Sequence, residues 1–579
     1  MKRRLLIALA FIVLPAISAA QLLPPPVILP PPPPPAPTLI EAKIDPDLRA
    51  LMQANPLAPL PVIVEMQAPV APFGCPASLN PNVCRALEAL GLLTLNGTPV
   101  AALSLINSAA GFANAAGIGA LSLVPTVAFV HHDRTVGPRQ TAAPPPPTLS
   151  DEFAGRYSRT VRAHTLWPQI TGNGVTVAVL DSGVAADLDL AGATNRVLAS
   201  VNFADPASTS DPGGHGTHIA GIVAGNGARS EGEFAGVAPE ANIVDVRVLG
   251  RTGSGRTSSV VRGIEWVLAH RAEYNIRVIN LSLGAPAPPS YRVDPLSAAV
   301  EIAWRRGLVV VAASGNTGPE RDTVTSPGID PYVITVGATD SHGTRNTNDD
   351  TLVWFSAWGG GGPNPKPDLV APGRRLASVH VPGSTLATLY PDRIVAAPNG
   401  STYFRLSGTS QATGVVSGIA ALVLQSQPNL KPDQVKAFLI GNTQLYGSDT
   451  GPVLPDPIAD GSGMADAQDA AKAAARGDPV TPANRGLRPS DAFARALYPV
   501  LYGSPLRWKN PTLGGILWNL LTWDTLVWNS VAWDNFDWDS VAWDSVAWDS
   551  VAWDSVAWDS VAWDSVAWDS VAWDTYTLD

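Results

Sequence analysis

Four side chains stand in settings suited to chemistry. Asp181 closes the run VTVAVLD (Val175 to Asp181) and is followed by Ser182-Gly183. His215 sits in GGHGTHIAGIVAG, Asn316 in AASGNTG, and Ser410 in LSGTSQATGVVSGIAALVLQ. Small residues precede His215 and Ser410 and an apolar run follows each, so both are expected to open a helix. That position matters because the first amides of a helix lack intrahelical partners and its amino end carries partial positive charge. A serine placed there can offer its own backbone N–H to a negative oxygen while its hydroxyl attacks, and Asn316 can donate a side-chain amide to the same oxygen. Taken singly, a serine in a glycine-rich turn is an ordinary turn or cap residue. The only cysteines, Cys75 and Cys84, lie far upstream, so a nucleophile in this part of the chain is an alcohol or a carboxylate.

These residues need a frame, and the surrounding sequence supplies one. ANIVDVRVL, VINLSLG, GLVVVAASGN and YVITVGATD repeat the form of VTVAVLD: β-branched runs that finish on Gly, Ser, Asn or Asp. Between them VVRGIEWVLAH and LSAAVEIAWRRG carry apolar residues at helical spacing. Alternating strands and helices predict an α/β fold, a mostly parallel sheet with helices on both faces. In such sheets ligands gather at the carboxyl ends of strands.

DSG, GHGTHIAG, SGN and SGTSxA, in that order, resemble the motifs of the subtilisin-like serine proteases, over about 320 residues from Tyr157 to Ala475. The chain order Asp, His, Ser is that family's and differs from the orders of chymotrypsin and the α/β-hydrolases. The resemblance implies a secreted serine endopeptidase made as a self-processed precursor. It makes Asp181 the residue that orients the imidazole, His215 the general base and then acid, and Ser410 the nucleophile. Asn316 and the Ser410 amide become the oxyanion donors. Ser282-Leu283-Gly284 and Ala313-Ser314-Gly315 match the segments that flank substrate, which is protein or peptide. The chemistry needs no cofactor. Structural calcium is compatible with the family, but the loops ATNRVLASVNFADP and TRNTNDDT show no ligand spacing, so metal ligands stay unknown. Two positions depart from the family: Gln411 stands where Met is usual and Gly414 where Pro is usual. Neither supplies a reacting atom, so altered packing is expected rather than lost activity. His218, three residues after His215, lacks HExxH spacing and is expected to be structural.

The rest of the chain reads as attachments. Residues 1–20, MKRRLLIALAFIVLPAISAA, follow the charged, apolar, small-residue order of a secretory signal, with Pro15 breaking a run too short to span a bilayer. A Pro-rich spacer covers 21–40, and 138–150 is a Pro-rich linker and the expected processing region. Between them, residues 41–137 form a small α+β unit, with strands at PVIVEM and TVAFVHHD and two Ala/Leu-rich helices. The family resemblance makes it a propeptide, a transient inhibitor that assists folding. In an oxidising compartment Cys75 and Cys84 are expected to form a disulfide. The peptidase is assigned to 151–475, a connector to 476–510, and a Trp-rich repeat of SVAWD to 511–579. Trp recurs every fifth residue from Trp518 to Trp573, so a coil whose turns are multiples of five would stack the rings. The expected role of this ribbon is cell-envelope attachment or self-association, and the enzyme is secreted or held at the cell surface. A rival reading makes the chain a surface adhesin with an inactive protease fold; the intact set of four groups speaks against a relic. Net charge of -11 argues against a nucleic-acid partner.

Overall fold

Proline and asparagine punctuation opens the first helices. In the computed structural model, α1 (Pro46–Ala54) and α2 (Pro81–Asn96) each begin with Pro, capped by the side chains of Asp45 and Asn80. They pack on β1 (Leu60–Met66), β2 (Thr98–Leu103), β3 (Ser108–Ala113) and β4 (Val127–His132), with α3 (Ala115–Leu123) before the last strand. The sheet is antiparallel in the order β2-β3-β1-β4. Cys75 and Cys84 are bonded to each other, their Cα atoms 5.9 Å apart, which ties the preceding loop to the first turn of α2. Along β1 the alternation of strand side chains divides two cores. Leu60, Val62 and Val64 join Leu93, Ile118 and Leu121 inside this unit, whereas Ile63 joins the core of the following domain. A short strand, β5 (Thr135–Val136), leaves the unit toward that domain.

The structure describes residues 41–496 apart from 68–74, 76–79, 138–156, 192–194, 205–209, 343, 345–346, 361–363 and 448–457. The signal, the spacer, the linker, the end of the connector and the Trp ribbon therefore lie outside the described residues.

After α4 (Tyr157–Thr160), the sheet that carries the site is built from β6 (Thr176–Asp181), β7 (Val197–Asn202) and, beyond α5 (His215–Ala224), β8 (Asn242–Arg247). A two-residue strand, β9 (Gly255–Arg256), leads into α6 (Thr257–His270) and β10 (Ile276–Leu281); α7 (Pro295–Arg305), β11 (Val309–Ala313), β12 (Ile334–Asp340), β13 (Thr351–Leu352) and β14 (Leu369–Pro372) complete it. The order is β13-β12-β11-β10-β6-β8-β7, with β14 also on β12, and every pair but β12–β13 is parallel. Successive residues of β6 show that both faces are covered. A Cβ built on Gly263 of α6 would lie 3.3 Å from Leu180, and one on Gly216 of α5 would lie 3.0 Å from Asp181. Beyond β15 (Leu376–Val379), α8 (Thr385–Leu389), β16 (Ile394–Ala396) and β17 (Thr402–Leu406) comes the central helix α9 (Thr409–Ser426). Every residue of α9 from Thr409 to Leu424 is buried, as expected of a helix small or apolar on all sides. At Gly414 a Cβ would meet Ile222 of α5 at 3.2 Å, so this departure from the family pattern lies in the α5–α9 packing.

Helices α10 (Pro432–Gly441) and α11 (Ala467–Arg476) follow. The ammonium groups of Lys366 and Lys436 converge on the carbonyls of Pro331 and Val333, and both pair with Asp368, at 2.7 and 3.0 Å. The connector expected from 476 onward differs from expectation over its first part. Asn484 donates to Tyr332 O at 2.8 Å, and Ser490 donates through N–H and hydroxyl to Glu301. Residues 491–496 form α12, the last helix among the described residues, and its Phe493 is fully buried in the domain core. The Pro- and Gly-containing sequence there reads as a spacer because its anchors are distant side chains that no local pattern reveals.

Candidate active site

Asp181 is the last residue of β6 and is fully buried. Its Oδ1 accepts from the Ser182 amide at 2.7 Å and from His215 Nδ1 at 2.8 Å. His215 is the first residue of α5, which starts where Gly214 takes φ 89°, a left-handed turn that glycine adopts without strain. Sequence reasoning missed what fixes this turn: Asp211. Its Oδ1 accepts from the Gly214 amide (2.7 Å) and the Ser182 hydroxyl (2.8 Å), and its Oδ2 from the amide and hydroxyl of Thr217 (2.9 and 2.8 Å). One buried carboxylate thus caps α5 and ties it to the residue after Asp181. The signal was present in SDPGGHGT, an Asp four residues before the helix, but its reach to Ser182 is tertiary.

Burial alone would lower the His215 pKa; the Asp181 charge and hydrogen bond, with Asp211 adding, hold it above the usual imidazole value. With Nδ1 donating to Asp181, Nε2 is left as the acceptor of a neutral ring. His218, one turn along, is directed elsewhere. Its Nε2 donates to Phe404 O at 2.9 Å, and burial, with the His215 charge adding, lowers its pKa to about 3, so it stays neutral.

Ser410 is the second residue of α9. Its hydroxyl donates to Ser282 O at 2.9 Å, while the Ser282 hydroxyl donates to Ser410 O at 2.8 Å. This reciprocal pair locks the start of α9 to the end of β10, and Asn280 supports it by donating to Ser282 Oγ at 2.9 Å. Asn316 follows β11. Its Oδ1 accepts from both the amide (2.8 Å) and hydroxyl (2.9 Å) of Thr409, which fixes the side-chain plane against the turn that presents Ser410. The amide end, Nδ2, is the donor end of that plane. Gly284 and Gly315 have a steric reason to be glycine: a Cβ on either would meet Thr325, at 2.3 and 2.8 Å, and Gly315 has φ 110°. Thr325 in turn is held by Ser314 O, so the segments Ser282–Gly284 and Ala313–Gly315 are braced by one residue.

One segment of the amino-terminal unit pairs beside Ser282–Gly284. β5 pairs antiparallel with β9, and Gly137 exchanges two backbone hydrogen bonds with Gly284, both 3.1 Å. The end of the amino-terminal unit is thus a strand inserted between β9 and the Ser282–Gly284 segment. Among the described residues, no group of three or more His, Cys, Asp or Glu side chains is arranged to hold a metal ion, and no helix is long and apolar enough to cross a membrane.

Comparison with known proteins matches residues 172–473 to the subtilase family model. Serine protease AprX of Bacillus subtilis is 41% identical over 312 residues, 52% of this chain and 66% of that protein. M-protease of Shouchella clausii is 36% identical over 337 residues, covering 57% and 74%. Subtilisin Savinase of Lederbergia lenta is 39% identical over 285 residues, covering 48% and 89%. The matched family segment begins just before β6 and ends within α11, spanning every strand of the parallel sheet and all four candidate residues; the chain belongs to the subtilase family of serine endopeptidases.

Proposed function

We propose that this chain is a secreted endopeptidase that hydrolyses peptide bonds through Asp181, His215 and Ser410 and is held inactive in its precursor by residues 41–137. The observation that carries the reading is the 2.8 Å bond from His215 to Asp181, between a strand end and a helix start, with Ser410 at the start of α9 held against the end of β10 in the same sheet. With substrate bound, the Ser410 hydroxyl turns from Ser282 O toward His215 Nε2; such hydrogen bonds commonly tighten only when substrate is present. Oγ attacks the carbonyl carbon as its proton passes to Nε2, and Asp181 stabilises the imidazolium. Negative charge on the former carbonyl oxygen is met by Asn316 Nδ2 and the Ser410 N–H. The C–N bond breaks, the leaving amine takes the proton from Nε2, and water then cleaves the acyl ester by the same path in reverse. Ser282–Gly284 and Ala313–Gly315 hold the substrate backbone and its first side chain.

Support for the inhibitory role comes from the strand Thr135–Gly137, which occupies the edge that a substrate backbone would use. A peptide held antiparallel in the Gly137–Gly284 register sets its second residue beyond Gly137 opposite Ser282, the residue bonded to Ser410. For the chain's own sequence this selects the Arg139–Gln140 bond, inside the linker assigned to processing. The export assignment rests on residues 1–20, and envelope attachment through the Trp repeat remains part of the proposal. A chromogenic peptide assay with an active-serine phosphonylating reagent tests the reading. Turnover blocked stoichiometrically, with the label on Ser410, supports it; turnover that persists with Ser410 labelled overturns it. Sequencing of the mature amino terminus tests the register, which predicts Gln140 first.

A further inference from the structure

The stretch after α11 makes two sets of contacts, and they belong to different parts of the molecule. Residues 484–491 are fastened to the peptidase: Asn484 to Tyr332 O, Ser490 to Glu301, and Asp491 to Arg292 at 2.9 Å. A few residues on, α12 turns to the amino-terminal unit. Arg495 forms a two-pronged ion pair with Glu65 of β1, Nε to Oε1 at 2.6 Å and Nη2 to Oε2 at 3.0 Å. Glu65 Oε2 is also 2.8 Å from His131 Nε2 of β4, and Asn82 of α2 donates to Ala496 O at 3.0 Å. Glu65 is about 1% exposed and Arg495 17%, so this ion pair is largely buried and not a surface contact. Glu65 lies on the same face of β1 as Ile63, the residue that enters the peptidase core.

These contacts are not at the cleft. The cleft holds the amino-terminal unit by β5 and Gly137, at the end that self-processing cuts. The Arg495 contact grips β1 and is untouched by that cut. We propose that residues 484–496 are a carboxyl-terminal latch whose binding partner is the amino-terminal unit, and that opening it, rather than the first cleavage, sets how fast the unit leaves. This rests on reading residues 41–137 as an inhibitory propeptide. The latch lies beyond the matched family segment, which ends at 473.

The test uses the full-length chain with Arg495→Ala, Arg495→Lys and Asn82→Ala. Three quantities are followed: the first cut on gels, departure of the cleaved fragment by gel filtration, and onset of peptide turnover. The first cut should stay within about twofold of wild type. The fragment should leave about 30-fold faster or more in Arg495→Ala, the scale for removing one partner of a buried hydrogen-bonded charge pair, with Lys intermediate. Hydrogen exchange in a Ser410→Ala background provides a readout that needs no cleavage. β1 and α2 should exchange faster in Arg495→Ala, with β2 and β3 unchanged. If β2 and β3 also loosen, the unit itself is damaged, and the milder Asn82→Ala decides. Release and β1 exchange at wild-type rates overturn the latch. Faster release without earlier turnover keeps the latch and overturns the inhibitor reading instead.

Discussion

The amino-terminal unit and the peptidase solve the problem of burying a sheet in opposite ways. The inner strands of the large sheet, β6, β8, β10, β11 and β12, are mostly buried along their length, helices cover both faces, and the polar residues that matter come at the ends. The amino-terminal sheet has one face on its own helices, while Ile63, Leu103, Ile106 and Ala110 complete their burial against the peptidase. The first can hold a catalytic geometry by itself. The second depends on what it docks against, which suits the transient inhibitor proposed for it.

The deepest cut into this contrast is Ser410→Ala. It should reduce turnover on the order of 10⁶-fold, a scale measured on subtilisin and not inferred from this chain. The same variant should fold and keep the amino-terminal unit covalently attached; a processed product from purified mutant would break the self-cleavage reading. Asn316→Ala should cost roughly 10²–10³ in kcat with little change in KM, again on subtilisin's scale. A kcat within a few-fold of wild type would show that another donor serves the oxyanion.

A comparison within one strand is subtler. Ile63→Ala and Val64→Ala remove neighbouring side chains from the shared core and the unit's own core. Ile63→Ala should weaken docking, at a cost of about 2–5 kcal/mol if the gap stays open, while the unit keeps its own unfolding transition. Val64→Ala should lower that transition. Equal effects of both variants on both readouts would mean that the two cores unfold as one.

Acidity gives a smaller effect. Because Asp181 holds the His215 pKa above its usual value, the neutral ring needed as base is lost as pH falls through that raised pKa. The acid limb of kcat/KM in the mature enzyme should therefore lie above about pH 6.5, the usual imidazole value. Asp181→Asn should remove this upward shift along with most of the turnover. The smallest change is expected from ending the chain at Asn510. The ribbon then goes but the latch stays, and peptide turnover should match the full-length enzyme. Ending at Ala475 instead removes residues 476–496 and with them Phe493 from the core, so stability should fall.

The site was legible in the sequence where chemistry coincides with local punctuation. Asp181, His215, Asn316 and Ser410 each follow a β-branched run or a glycine turn, and such junctions read from a short window. Asp211 was not legible, because its four hydrogen bonds include one to Ser182, 29 residues away. Strands β2 (TPVAAL) and β3 (SAAGFA) were hidden for another reason: Ala and Gly favour strands poorly, so pairing within the sheet, not propensity, makes them. The latch was hidden by both effects at once, a Pro/Gly-containing stretch whose partners Glu65 and Asn82 lie more than 400 residues back.

The Lys366–Lys436 cage also bears on how folding responds to alkali. Carbonyls of consecutive residues with one carboxylate make a donor set that suits a hard cation. Here two ammonium groups meet it, carried by the chain itself. Two positive charges share a single Asp368, and burial, only partly offset by Asp368, lowers the Lys366 pKa to about 8. Between pH 8 and the ordinary lysine value near 10.4 the unfolded chain binds the extra proton, so this group makes folding more favourable as the solution becomes alkaline. This corner of the molecule is therefore held by charges that the chain itself carries, and the cost of burying them lessens as the proton on Lys366 is given up.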